Sequence, residues 1–264
     1  MTGSRGVLRN AGWADLSTDS ERPLFPIRDS VSRTRLPAAV WAIIAANAAA
    51  FLYQESLSGP ELERLLYEHA LVPARYFLPG WGELEGLPPT DLTPFITNTF
   101  LHGGWLHIIL NMWTLYIFGP ALEDRLGTAR FITLYLLSGI AASVTHAVFN
   151  AASQVPVLGA SGAIAGVIAA YALRFPYAWV RVVVPIIIFP LIFSLPAMVF
   201  AGIWFFLQVL QGTSELMLPF AGAAGIAWWA HIGGFMAGLV LLLLLDPAGA
   251  SRKSWYNGGP WERW

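Results

Sequence analysis

The sequence predicts an all-α integral membrane protein whose helices cross the bilayer six times, and three observations carry that prediction. Of the 264 residues, 56% are hydrophobic and 12% charged, against about 25% charged in soluble domains. Apolar stretches fill nearly everything after residue 36, which leaves no room for a second globular unit. The Lys and Arg residues then collect on one side of the segments those stretches define. Cysteine is absent, which excludes disulfides, thiol nucleophiles and thiolate metal sites. A net charge of −1 gives no basis for a nucleic-acid partner; the partner that composition implies is the lipid bilayer.

Each element follows in order. Residues 1–36 are polar, carry six arginines and four acids, and contain no apolar stretch that would serve as a cleavable signal, so they read as a cytoplasmic tail. A spanning helix needs about 20 predominantly apolar residues. Windows of that kind run over residues 37–57, 100–122, 131–150, 158–173, 196–210 and 222–245. Residues 58–99 form a long outer loop with Glu61, Glu63, Glu68, Glu83, Glu85 and Asp91, too long for a plain turn and expected to fold on the outer membrane face. The stretch 180–210 is too long for one span and too short for two. Pro185, Pro190 and Pro196 interrupt it, so the fifth span is set after Pro196 and residues 180–194 are expected as an irregular or shallow connection. Residues 37–246 are thus one membrane domain, and 247–264 a second cytoplasmic tail.

With the N-terminus inside, Arg64 and Arg75 are the only two of fifteen Lys and Arg residues left outside. This asymmetry supports both ends on the cytoplasmic side. The short tails and lack of a targeting segment point to a bacterial inner (plasma) membrane.

Ionisable and amide side chains inside spans are costly in hydrocarbon and are functional candidates for that reason. Here they are His107, Asn111, His146, Ser161 and His231. At ~1.5 Å per helical residue, Asn111 lies about 18 Å above Glu123, Ser161 about 20 Å above Arg174, and His231 about 22 Å above Asp246. The three share one level, roughly 10 Å below the outer surface of a core about 30 Å thick. His107 and Asn111, four apart, point from one helix face. A nucleophile, a base and donors for a developing oxyanion are the set that acyl chemistry requires, without metal or cofactor.

Ser161 sits in the run Gly159-Ala160-Ser161-Gly162-Ala163-Ile164-Ala165-Gly166, which opens a helix whose first N–H groups are unpaired. Those of Ser161 and Ala160 are candidate oxyanion donors beside His107 and Asn111. His231, Gly234 and Gly238 share one helix face. Small residues spaced by four let membrane helices approach closely, and Ser161, Ala165 and Ala169 form a matching stripe. Contact of the fourth and sixth spans there is expected to bring Ser161 within reach of His231. His146 has no partner motif and reads as structural; Glu123 and Arg125 read as a structural ion pair at the inner boundary.

These motifs resemble the rhomboid family of intramembrane serine proteases over residues 92–245. Gly159-Ala160-Ser161-Gly162 is similar to its nucleophile motif, and His102-Gly-Gly-Trp-Leu-His107-Ile-Ile-Leu-Asn111 to its second-helix motif. Glu123-Asp-Arg125-Leu-Gly127 resembles its acid-x-Arg-x-Gly signature, and Ala230-His231 with Gly234 and Gly238 its sixth-helix motif. The resemblance implies a rhomboid-like six-helix bundle, a Ser161–His231 dyad, oxyanion assistance from His107 and Asn111, and transmembrane proteins cut within or near their membrane segment. The sequence departs from the family at Ala165, where an aromatic often supports the imidazole, and lacks an evident Trp-Arg pair in the first outer loop. The competing readings are an inactive relative that captures membrane proteins, a proton-coupled transporter, and haem ligation by His107 and His231. The first has no need of the serine, the second lacks buried carboxylates, and the third leaves Asn111 and Ser161 unexplained.

Overall fold

The computed structural model describes residues 30–31, 34–186, 189–217 and 227–246; most of the two expected tails lies outside them. The chain is mostly helical. α1 (Ala38–Ser56) starts after Pro37, and its first N–H groups are satisfied by a carboxylate from elsewhere in the chain. Glu123 accepts from Ala39 N–H and Val40 N–H, each at 2.9 Å, doing across the fold what a capping side chain does locally.

The segment after α1 carries α2 (Gly59–His69), α3 (Ala74–Phe77), α4 (Trp81–Leu84), α5 (Pro94–Thr97) and a 3-10 turn over Asn98–Phe100. A capping box of Ser58 and Glu61 opens α2. The Arg75 guanidinium is buried and ties the segment together, donating to Asp91 Oδ2 at 2.8 Å and to the Pro88 carbonyl at 3.0 Å. Asp91 also accepts from the Thr93 hydroxyl at 2.7 Å and N–H at 2.9 Å. These Thr93 bonds, with Arg75, hold its carboxyl below the usual carboxylate range, while burial pushes the neighbouring Tyr76 hydroxyl up to about 12. A two-bond bridge joins Leu71 to Val157, at 2.9 and 2.8 Å, so this segment is anchored to the approach to Ser161.

α6 (Trp105–Leu126) and α7 (Thr128–Phe149) meet at Gly127, whose φ of +81° ends one helix and begins the next; a side chain would strain that conformation. α8 (Ser161–Arg174) is the centre of the bundle, buried from Gly162 to Ala172 and packed against α6, α7, α9 (Ala197–Met217) and α10 (Trp228–Leu245). Its 14 residues make it about 21 Å long. Among the described residues four helices, α6, α7, α9 and α10, are long and apolar enough to cross a membrane.

Two expectations are corrected and a third is sharpened. Residues 180–194 are not irregular: β1 (Trp179–Ile186) and β2 (Phe189–Pro196) pair antiparallel, with Trp179 opposite Pro196 and Pro185 opposite Pro190. The run from Val180 to Val184 is rich in β-branched residues that favour a strand, and a two-stranded hairpin has open edges on which proline is tolerated. Secondly, Glu123 does not pair with Arg125. Two residues apart on a helix, they face different neighbours: Glu123 caps α1 and accepts from the Thr128 hydroxyl at 2.9 Å, and Arg125 binds Asp246 at the end of α10 at 2.8 Å. Arg174 closes on the same Asp246 at 3.0 Å, so α6, α8 and α10 are tied at one end.

The third point sharpens how α8 meets α10: they touch as expected, with Ser161 in reach of His231, and their closest backbone approaches run through Gly162 and Gly166. A Cβ on Gly234 would run into the Gly162 carbonyl oxygen, and one on Gly238 into that of Gly166. Backbones this close leave room only for hydrogen, so glycine rather than alanine defines the seam. Ser161 directly precedes Gly162, so this close approach sets the distance from its hydroxyl to α10.

Candidate active site

Ser161 is the first residue of α8, with buried Ala160 as its cap. The preceding Gly159 has φ +127°, and a Cβ there would stand 2.7 Å from His107 Nε2. Glycine is required twice over, by the backbone and by the imidazole beside it. His107 Nδ1 lies 3.3 Å from Gly103 N–H and accepts from it, which leaves Nε2 as the donor of the neutral ring. Asn111, one turn further along α6, has its Nδ2 within 3.7 Å of the same Gly159 position. That Nδ2 is buried with no hydrogen-bond partner among the described residues. The start of α6 is itself pinned: Gln54 of α1 accepts from His102 N–H at 3.0 Å and donates to the His102 carbonyl at 3.1 Å.

From α10, His231 brings Nε2 to 2.8 Å from Ser161 Oγ. The predicted nucleophile and base, 70 residues apart in sequence, are therefore in hydrogen-bond contact, and His107 and Asn111 flank the segment leading to the serine. The N–H groups of Ala160 and Ser161 lie at the helix start, where no intrahelical acceptor exists. Of the remaining predicted motif residues, Gly162 and Gly234 form the seam one step below the dyad, with Gly238 a turn deeper. Glu123, Arg125 and Gly127 lie at the other end of α6 and take no part in the site.

Sequence reasoning missed three residues, two on α9 and one at the start of α10. Gln208 Oε1 stands 2.7 Å from His231 Nδ1, and the Trp204 ring packs against the imidazole with centroids 5.6 Å apart. Trp228 meets it edge-on at 6.2 Å. These groups occupy the supporting role that Ala165 cannot fill. The signal was available: Gln208 is an amide inside an apolar window, and the argument applied to Asn111 applies to it equally.

His146 lines a cavity of about 20 Å³ beside Ser161, together with Asn98, Ser143 and Gly159. Asn98 Nδ2 donates to Ser143 Oγ at 2.8 Å. A polar cavity of that volume accommodates about one water. The assembled chemistry is a hydroxyl against an imidazole, donors grouped at its side, and room for water.

Comparison with known proteins agrees with this geometry. The Rhomboid domain family model matches residues 89–247. The chain is 28% identical over 206 residues to Rhomboid protein 1, mitochondrial, of Saccharomyces cerevisiae, covering 76% of this chain and 51% of that protein. It is 32% identical over 154 residues to RHOMBOID-like protein 4 of Arabidopsis thaliana, covering 58% and 34%. Presenilin-associated rhomboid-like protein A, mitochondrial, of Danio rerio is 34% identical over 103 residues, covering 38% and 27%. The chain spans about half or less of the length of these relatives. A multi-pass membrane chain matched by the Rhomboid domain family model over more than half its length belongs to the rhomboid family.

Proposed function

We propose that this chain is an intramembrane serine endopeptidase that cleaves transmembrane proteins within or near their membrane segment. The observation that carries the reading is the 2.8 Å contact between Ser161 Oγ and His231 Nε2, a hydroxyl and an imidazole meeting from two apolar helices that gain nothing structurally from burying either. Ser161 Oγ attacks the substrate carbonyl as His231 takes its proton, and the imidazolium returns that proton to the leaving amine. His107 Nε2–H, the unpartnered Asn111 Nδ2 and the first N–H groups of α8 supply donors to the oxyanion. The cavity beside Ser161 supplies space for the water that hydrolyses the acyl-enzyme. A substrate helix unwinds locally, since a helical backbone keeps its carbonyls bonded.

In this reading α1 and the short α8 join α6, α7, α9 and α10 as a six-span bundle, 37–246, with both tails cytoplasmic and the segment 58–99 on the outer face. The bilayer of a bacterial plasma membrane is the proposed setting. The test is cleavage of a single-span reporter in proteoliposomes by the purified protein. Ser161→Ala abolishes cleavage at an unchanged unfolding midpoint; continued cleavage by that variant overturns the assignment.

A further inference from the structure

Gln208 lies on α9, 6% exposed, one helical turn after Trp204. Its Nε2 donates to the Trp204 carbonyl at 3.2 Å, so the carboxamide is oriented by its own helix: the NH2 faces back along α9 and Oε1 faces α10. That oxygen stands 2.7 Å from His231 Nδ1. An amide oxygen only accepts hydrogen bonds, so Nδ1 carries the proton. A neutral imidazole has one ring proton, and Nε2 is therefore the bare nitrogen, 2.8 Å from Ser161 Oγ. In the opposite tautomer two lone pairs would face each other across the short gap to Gln208, and the Nε2–H would point at the serine it must deprotonate.

We propose that Gln208 is a positioning residue and the third member of an uncharged Ser161–His231–Gln208 chain, holding the imidazole in the tautomer and orientation that let it accept the serine proton. The proposal rests on the hydrolase reading above and deepens it. In soluble serine proteases a buried aspartate sets the tautomer of the catalytic histidine. Inside a bundle of apolar helices a lone carboxylate is costly to desolvate, and a carboxamide supplies the same acceptor with no net charge. Trp204, from the same helix, closes one face of the ring, so α9 controls both the rotation and the protonation pattern of the base. Gln208 touches neither substrate nor the reacting oxygen and acts only through His231.

The experiment compares full-length wild type, Ser161→Ala, Gln208→Met and Gln208→Glu in proteoliposomes. It follows reporter cleavage, labelling by a fluorophosphonate, unfolding midpoint and the ring nitrogen resonances of 15N-labelled histidine, assigned with His231→Ala. Gln208→Met matches the side-chain length without an acceptor. It lowers kcat and the labelling rate together by about 100-fold or more, within the range a positioned general base contributes, while KM holds and the unfolding midpoint falls only as for one lost buried hydrogen bond. Gln208→Glu keeps an acceptor toward Nδ1, the group soluble serine proteases use there, and retains more kcat than Gln208→Met. The wild-type His231 resonances report protonation at Nδ1, and Gln208→Met loses that preference. Wild-type rates in Gln208→Met, equal losses in Gln208→Glu and Gln208→Met, or a wild-type ring protonated at Nε2 would each overturn the proposal. A wild type that neither cleaves nor labels overturns the hydrolase reading instead, and the resonances then decide separately whether Gln208 sets the tautomer.

Discussion

Gly234→Ala adds one methyl group at the seam of α8 and α10 and tests how the dyad is held. The new Cβ would fall on the backbone carbonyl of Gly162, which no rotamer change can relieve. A carbon needs about 3.3 Å from a carbonyl oxygen, so the two helices must separate by about 1 Å or more. Ser161 precedes Gly162 directly, and His231 lies three residues, less than one turn, before Gly234. The 2.8 Å contact between Oγ and Nε2 then opens to about 3.8 Å, beyond the range of a hydrogen bond. Misplacement of that size costs about 10²-fold in rate, and overpacking costs about 1–3 kcal/mol in stability. The assay is reporter cleavage in proteoliposomes with the unfolding midpoint measured on the same samples. Gly202→Ala is the control, because a Cβ there meets nothing within 4 Å. A Gly234→Ala protein with activity within threefold of wild type and an unshifted midpoint would refute the argument that glycine contact sets the Ser–His distance.

Other predictions follow from single contacts. Asn111→Ala removes a donor that has no partner among the described residues, so the unfolding midpoint holds while kcat falls about 10²–10³-fold, as for loss of an oxyanion donor; steady-state kinetics beside thermal unfolding separates the two. Glu123→Gln leaves one acceptor where two carboxylate oxygens serve three donors and turns an NH2 toward another donor, costing about 1–3 kcal/mol, read as a lower unfolding midpoint. Asp91 has its pKa held below the ordinary carboxylate value by Thr93 and Arg75. Its contribution is therefore present above that ordinary value and lost as pH falls through the depressed one. Wild type and Asp91→Asn should differ in unfolding midpoint at neutral pH and converge on acidification, and a gap that persists at low pH would contradict this.

Much of the site was legible because hydrocarbon penalises polar groups. Ser161, His231, Asn111 and His107 stood out against apolar windows, and counting helical rise from the inner boundary brought three of them to one depth. Gln208 met the same criterion, but its partner is set by how α9 rotates against α10, which spacing along one helix does not encode. Glu123 and Arg125 looked like a pair because they are near in sequence, whereas helix geometry turns them apart toward α1 and α10. The hairpin β1–β2 was hidden because prolines that end a helix also sit comfortably on the edge of a two-stranded ribbon.

Composition and periodicity, acting through the cost of polar groups in lipid, determined by themselves that this is a multi-pass helical protein and which side chains are expensive enough to need a reason. Only tertiary structure decided that the closest backbone approach of α8 and α10 runs through Gly162 and Gly166 beside Ser161, and that an amide from a third helix meets the far side of the imidazole. The reason is that a helix's rotation about its axis is chosen by contacts with all its neighbours at once, and a 100° change per residue separates a seam position from a catalytic one.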